Sequence, residues 1–206
     1  MPRLSHPSCS SANHHNYILQ GRRAPAGRIV FVEMLEPVTI RERLRHAYEV
    51  AQESPDPSSQ NGVVIYSAEH LAAPGLAPRW VSGFNAFLDG VASPEERWER
   101  PVKYSYIEHA ERRAVYSAAR YGVTLEGATM YAAWAACSDC ARAIVATGIK
   151  TVVRHAPDHS PHHASWGQSI EIGDTIMTEG GVTIITYTDP LPEAQAVLRN
   201  GELWQP

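Results

Sequence analysis

A three-layer α/β/α domain around a five-stranded mixed sheet is the fold this sequence predicts, and three observations predict it. From residue 129 onward, short β-rich runs alternate with helical stretches. Ahead of them, an amphipathic helical pattern precedes two further β-rich runs. The chain has 206 residues, 44% of them hydrophobic and 19% charged, which is enough to close one sizeable core. Strands separated by helices imply crossovers, and crossovers cover a sheet on both faces.

Residues 1–37 are rich in Pro, Ser, Asn, His and Arg and have no sustained apolar period. They predict a disordered extension ahead of one domain over residues 38–206, with Met34 available as an alternative start. Thr39 and Glu42 then make a Thr-x-x-Glu capping box before Ile40, Leu44, Ala47, Tyr48 and Ala51 at helical spacing. Two prolines and Asn61-Gly62 break the pattern between residues 54 and 62, leading into a first strand at 63–67. A second strand at 80–85 is expected to form a loose hairpin with it.

Residues 129–135 read as strand, 138–147 as a helix closed by Gly148, and 151–155 as strand. A helical stretch at 165–179 and Gly180-Gly181 lead to a last strand at 182–187. No repeat appears at the periods of solenoid architectures.

Asp and Glu outnumber Lys and Arg by 22 to 18, for a formal net charge of -4. That balance lacks the basic surplus with which binders of long nucleic acids engage phosphates, so small substrates are expected and nucleic-acid polymers are not. Apolar runs such as 29–32 and 63–66 fall far short of the roughly 20 residues that cross a bilayer, so no membrane association is expected. The N-terminal 28 residues lack the apolar centre of a signal peptide, and a cytoplasmic location is expected. Three cysteines are too few for a disulfide framework, and Cys137 and Cys140 form a Cys-x-x-Cys pair suited to metal or redox chemistry.

Two fragments carry the chemistry: His109-Ala110-Glu111, and Cys137-Ser138-Asp139-Cys140 where a predicted strand meets a predicted helix. They supply three zinc ligands and one free carboxylate. Zinc accepts imidazole and thiolate, and a catalytic site leaves the fourth tetrahedral position open to water. Cysteines three apart at a helix start direct both sulfurs to one spot, where the helix N-terminus favours thiolates.

His109 and Glu111 are two apart, about 200° around a regular helix. They share a site only if His109 sits at the helix entrance, with the helix running from Ala110 to a stop at Gly122. Bound water then drops in pKa from about 15.7 to about 7, roughly 12 kcal/mol in the cost of forming hydroxide. Glu111 beside the metal takes the water proton and returns it to the ring and the departing amine, as hydrolytic deamination requires. Taken singly, Cys-x-x-Cys also fits a structural zinc site or a thioredoxin-like pair, and His-x-Glu arises by chance.

Together and in this order, the two motifs match the known signature of zinc nucleobase deaminases. Residues 39–187 resemble the cytidine and deoxycytidylate deaminase superfamily, most nearly its deoxycytidylate (dCMP) branch. The resemblance rests on Glu108-His109-Ala110-Glu111-Arg112, on the lead-in from Pro94 to Pro101, and on Ala141-Arg142-Ala143-Ile144 with Gly148 to Val153. Asp56-Pro57-Ser58, before the strand that begins near Gly62, is similar to the family's entry into its first strand.

The resemblance implies a cytidine-deaminase-like fold, Zn2+ held by His109, Cys137 and Cys140, and Glu111 as proton shuttle. It implies that Asn85, in Gly83-Phe84-Asn85, contacts the nucleotide sugar, and that the backbone amide of Ala110 holds the pyrimidine carbonyl. A homo-oligomer is also implied. Departures are Ala136 in place of the family's usual proline, the small Ala135, Ala86-Phe87-Leu88-Asp89 after Asn85, and Arg113 where asparagine is frequent. They bear on the base, sugar and phosphate, not on the metal.

The expected activity is hydrolytic deamination of a cytosine-type nucleotide, dCMP or a modified relative, to the uracil counterpart with release of ammonia. Alternatives are deamination of another base, nucleoside or polynucleotide, a non-catalytic nucleotide-binding subunit on the same scaffold, and a redox Cys-x-x-Cys protein. Trp134 reads as core or as a base-stacking ring. His155, His159, His162 and His163, with Asp158, read as a solvated polar loop or as a second metal or phosphate site.

Overall fold

Alternation along the strands builds two cores. In the computed structural model, which describes residues 17–20, 37–68, 80–156 and 163–206, Val63, Ile65, Met130, Val152 and Ile184 face one buried cluster. Their strand neighbours Val64, Tyr66, Tyr131, Val153 and Ile185 face the other. This two-residue period on both faces is what a sheet covered by helices on each side requires.

The elements in chain order are β1 (Tyr17–Gln20), α1 (Pro37–Ala51), β2 (Gly62–Tyr66), β3 (Trp80–Phe84), β4 (Ala86–Phe87), β5 (Ile107–Glu108), α2 (Ala110–Tyr121) and β6 (Thr129–Ala132). They continue with α3 (Ser138–Ala146), β7 (Thr151–His155), α4 (His163–Glu179), β8 (Thr183–Tyr187), β9 (Val197–Arg199) and β10 (Glu202–Trp204). The main sheet runs β1-β8-β7-β6-β2-β3. Strands β6, β7 and β8 are parallel, and β2 runs antiparallel to both β3 and β6. One face carries α1; the other carries α2, α3 and α4. The expected three layers and the five mixed strands β2, β3, β6, β7 and β8 are therefore present.

Three differences refine that expectation. Tyr17–Gln20, inside the stretch expected to be disordered, pairs antiparallel with β8 and adds a sixth strand. Helix α1 begins at Pro37, two residues before the expected cap at Thr39. Proline is suited to a first helical turn because its ring fixes φ and its missing N–H has no partner there anyway. Beyond β8 the chain forms the β9–β10 hairpin, for which no expectation was stated. Its turn is Asn200-Gly201, both with positive φ (51° and 84°), the backbone that two-residue hairpin turns demand and that Asn-Gly supplies.

No helix among the described residues is long and apolar enough to cross a membrane.

Candidate active site

Two helix starts meet to form the site. His109 immediately precedes α2 with extended backbone (φ -74°, ψ 152°), and Cys137 precedes α3 in the same way (φ -74°, ψ 172°). An extended residue at a helix entrance escapes the helical rotation, so His109 faces the same point as Glu111 in the first turn of α2. Gly122 ends that helix in the left-handed conformation (φ 68°), where the sequence places the stop.

The placement of α2 depends on a small residue. A Cβ on Gly83 of β3 would meet the Ala110 carbonyl and lie 2.5 Å from the Ala114 nitrogen. The two helix starts are also tied electrostatically. Arg112 pairs with Glu108 and stands 3.4 Å from Asp139 Oδ2 in the first turn of α3.

His109 Nδ1 lies 3.4 Å from Cys137 Sγ and 3.5 Å from Cys140 Sγ, and the two sulfurs are 3.6 Å apart. Zn–S bonds of about 2.3 Å and Zn–N bonds of about 2.0 Å at tetrahedral angles place two sulfurs about 3.8 Å apart and nitrogen and sulfur about 3.5 Å apart. The three donors fit a zinc ion within about 0.2 Å of that spacing. Nδ1 is the ring nitrogen turned to the sulfurs and so the one available to a metal ion.

The hydrogen bond with Cys140, together with His109, holds the Cys137 thiol down to about 4 against its burial. The same bond, added to burial, pushes Cys140 upward.

Glu111 is 2% exposed, and its Oε2 lies 3.5 Å from Cys140 Sγ. It makes no ion pair among the described residues. Burial pushes its carboxyl above the ordinary carboxylate range, and the nearby His109 opposes this only in part. A carboxyl whose hold on a proton is strengthened in this way is suited to general acid–base work. His109, Ala110, Glu111 and Cys137 line one cleft together with Trp134, Trp166, Ile107 and Ile170. Trp166 packs edge-on against His109, with ring centroids 5.5 Å apart.

A closed polar network forms another part of the lining. Lys103 Nζ lies 2.6 Å from Asp56 Oδ2, with side-chain exposures of 5% and 1%. Asp56 Oδ1 also accepts from the Ser58 and Ser59 amides at 2.9 and 3.1 Å. Asn85, expected at the sugar, lines the cleft, and both amide hydrogens are taken. Nδ2 donates to Asp56 Oδ2 at 2.9 Å and to the Ser59 carbonyl at 2.7 Å. Its Oδ1 accepts the Asn61 amide at 2.6 Å. Asn61 Oδ1, buried on the same cleft, has no hydrogen-bond partner among the described residues.

Arg113 lines a separate surface groove and donates to the Phe87 carbonyl at 3.0 Å and to Asp89 at 2.9 Å. At the cleft rim stands exposed Arg100, which donates to Ser58 Oγ at 2.9 Å and lies 3.5 Å from Asn200 Oδ1. No described carboxylate pairs with it.

Sequence reading did not single out Arg100, Lys103, Trp166 or Asn200. Asn200-Gly201 was the available signal for the hairpin; Lys103 and Trp166 carry none, because their role depends on partners far away in the chain. His155 is buried, with Nδ1 2.7 Å from Tyr48 Oη and Nε2 3.0 Å from the Asp189 carbonyl. Asp158, His159 and His162 lie outside the described residues, and with them the expected loop or second site.

Residues 38–156 match the family model described as the cytidine and deoxycytidylate deaminase zinc-binding region. An uncharacterized deaminase in the luxG 3' region of Aliivibrio fischeri is 31% identical over 132 residues, 64% of this chain and 81% of that one. The deoxycytidylate deaminase of Enterobacteria phage T4 is 32% identical over 130 residues, 63% of each chain. The human deoxycytidylate deaminase is 32% identical over 113 residues, 52% of this chain and 58% of that one, so the match spans less than two thirds of either named deoxycytidylate deaminase.

The crystal structure of the dCMP deaminase of cyanophage S-TIM5 in complex with dCMP and dUMP shares the fold, with TM-score 0.54 and 16% identity over 73% of this chain and 98% of that one. The His/Cys/Cys group, the buried glutamate beside it and the matched region agree: this chain belongs to the cytidine and deoxycytidylate deaminase zinc-binding family.

Proposed function

We propose that the chain hydrolytically deaminates a cytosine-type nucleoside 5'-monophosphate, dCMP or a modified relative, to its uracil counterpart, releasing ammonia. The observation that carries this reading is Glu111: a buried carboxyl without an ion pair, in the first turn of α2, beside three donors spaced for one zinc. When bound, zinc supplies a Lewis acid that brings a water's pKa to about 7.

Glu111 Oε2 takes one proton from the attacking water and delivers it to the ring nitrogen, then carries the second proton to the departing amine. Water and the amidine carbon thereby become a carbonyl and ammonia with no redox step. The Ala110 N–H, at the first helical position, has no acceptor within its own helix and is placed to hold the pyrimidine carbonyl. Asn85 and Asn61 border the sugar end. Asn85 Oδ1 retains one lone pair, and the unpartnered Asn61 Oδ1 accepts a sugar hydroxyl. Asp56 and Lys103 neutralise each other, which leaves Arg100 as the uncompensated charge at the rim and the group suited to a 5'-phosphate.

The test is an ammonia-release assay on zinc-loaded protein with cytosine, deoxycytidine, dCMP and CMP. Turnover of a monophosphate above its nucleoside, with Arg100→Gln abolishing that preference, is the expected result. Equal turnover of nucleoside and nucleotide by both proteins removes the phosphate assignment, and no ammonia from any of them removes the activity.

A further inference from the structure

The C-terminal hairpin lies beyond residue 156, where the family match ends, yet it is built into the cleft. The Gln60 amide donates to the Leu198 carbonyl at 2.9 Å, and the Leu198 amide donates to Gln60 Oε1 at 3.0 Å. Gly201 and Asn200 amides donate to the Ser58 carbonyl and to Ser59 Oγ at 2.7 and 3.2 Å. The hairpin is thus seated on the loop that forms the polar wall.

From β9, Arg199 points inward and is 3% exposed. One nitrogen donates to the Gln60 carbonyl at 2.7 Å, the other to the Ala133 carbonyl at 3.2 Å. The guanidinium carbon lies 4.5 Å from the Trp134 ring centroid and 5.5 Å from that of Trp204. No described carboxylate pairs with it. A buried charge without a counter-ion is costly, so neutral contacts must retain it: main-chain carbonyls, the Tyr48 hydroxyl and the two indole faces. The two carbonyls come from adjacent segments, since the Ala133 amide donates to the Gly62 carbonyl at 3.0 Å, two residues beyond Gln60. Gln60 follows the Ser58–Ser59 loop, and Ala133 immediately precedes Trp134, which lines the cleft. Only a planar fork bridges two such acceptors while lying near a ring.

We propose that Arg199 is a positioning residue that holds Trp134 as a fixed aromatic wall for the substrate base, so that substrate affinity is set in part from the C-terminal hairpin. For its kinetic readout this rests on the nucleotide reading above; for its spectroscopic readout it does not.

The experiment compares wild type, Arg199→Met, Arg199→Lys, Trp134→Phe and the Arg199→Met/Trp134→Phe double variant. The expected result is that Arg199→Met keeps its zinc and a kcat within about threefold of wild type while its KM for dCMP rises about tenfold or more. Arg199→Lys recovers part of that loss, and in the Trp134→Phe background Arg199→Met changes KM by less than about threefold. A fall in kcat with KM unchanged, or the same KM increase with Trp134 already replaced, overturns the proposal.

If wild type deaminates nothing, the nucleotide reading fails and acrylamide quenching decides instead. Trp134 emission, taken as the difference between wild type and Trp134→Phe, becomes more quenchable in Arg199→Met under the proposal. Unchanged quenching overturns it. Should Arg199→Met fail to fold, Arg199→Lys is held to the same criteria.

Discussion

Two buried polar clusters line the cleft, and they differ in how far they are satisfied. Asp56, Lys103 and Asn85 close on one another and on the 58–61 loop through contacts of 2.6 to 3.1 Å. His109, Cys137, Cys140 and Glu111 touch only through sulfur, at 3.4 to 3.6 Å. A closed network rigidifies; a partly satisfied one carries a cost that folding alone does not recover and that a ligand does. The contrast assigns chemistry to the second cluster and shape to the first.

The strongest attempt to break that contrast removes a ligand. Cys137→Ala should leave less than about a tenth of the wild-type zinc and no measurable deamination, because two remaining donors do not make a tetrahedral site. Chelation of wild type should reproduce the loss and added zinc should reverse it, as metal analysis and the ammonia assay would show. Next in size is Glu111→Gln, which keeps the shape and removes the proton carrier. Activity should fall about 10²- to 10⁴-fold with zinc content unchanged. Zinc lost together with activity would make Glu111 a structural support of the metal.

The Asp56 network should respond in stability. Asp56→Asn leaves a buried ammonium without its counter-charge, which costs about 3–5 kcal/mol. Asn85→Ala strands the Asn61 amide and the Ser59 carbonyl, for about 1–3 kcal/mol. Denaturant midpoints measure both losses, and the folded fraction of each variant should retain zinc. If Asn85→Ala keeps wild-type stability while KM for dCMP rises about tenfold, Asn85 belongs with the substrate contacts and not with the loop.

The two clusters also differ in how legible they were. His109 and Glu111, and Cys137 and Cys140, sit two and three residues apart at helix entrances, where local geometry fixes direction within each pair, and the deaminase signature links the two pairs. Asp56 and Lys103 are 47 residues apart, and no local rule marks either as half of a buried pair. Asn85 was read by resemblance as a sugar contact, and its commitments to Asp56, Ser59 and Asn61 emerge only from the folded arrangement. Arg199 is the extreme case, since arginine is ordinarily a surface residue and only the rings and carbonyls that surround it explain its burial. The three-layer architecture followed from strand–helix alternation, whereas a four-residue edge strand such as β1 gives too short a pattern to read.

A smaller perturbation compares the two faces of the sheet directly. Gly62 and Gly83 each let a helix approach the sheet at backbone distance: a Cβ on Gly62 would lie 2.8 Å from the Ala51 Cα in α1, and one on Gly83 would lie 2.5 Å from the Ala114 nitrogen in α2. Alanine at either position overpacks a helix–sheet contact, with a typical cost of about 1–3 kcal/mol. Only α2 carries His109 at its entrance and Glu111 in its first turn. Gly62→Ala and Gly83→Ala should therefore lower the denaturant midpoint by similar amounts, while Gly83→Ala alone weakens zinc retention against a competing chelator. Equal zinc retention in the two variants would mean that the metal site tolerates displacement of α2, and that the Arg112 bridge to Asp139, not the close packing on β3, keeps the two helix starts in register.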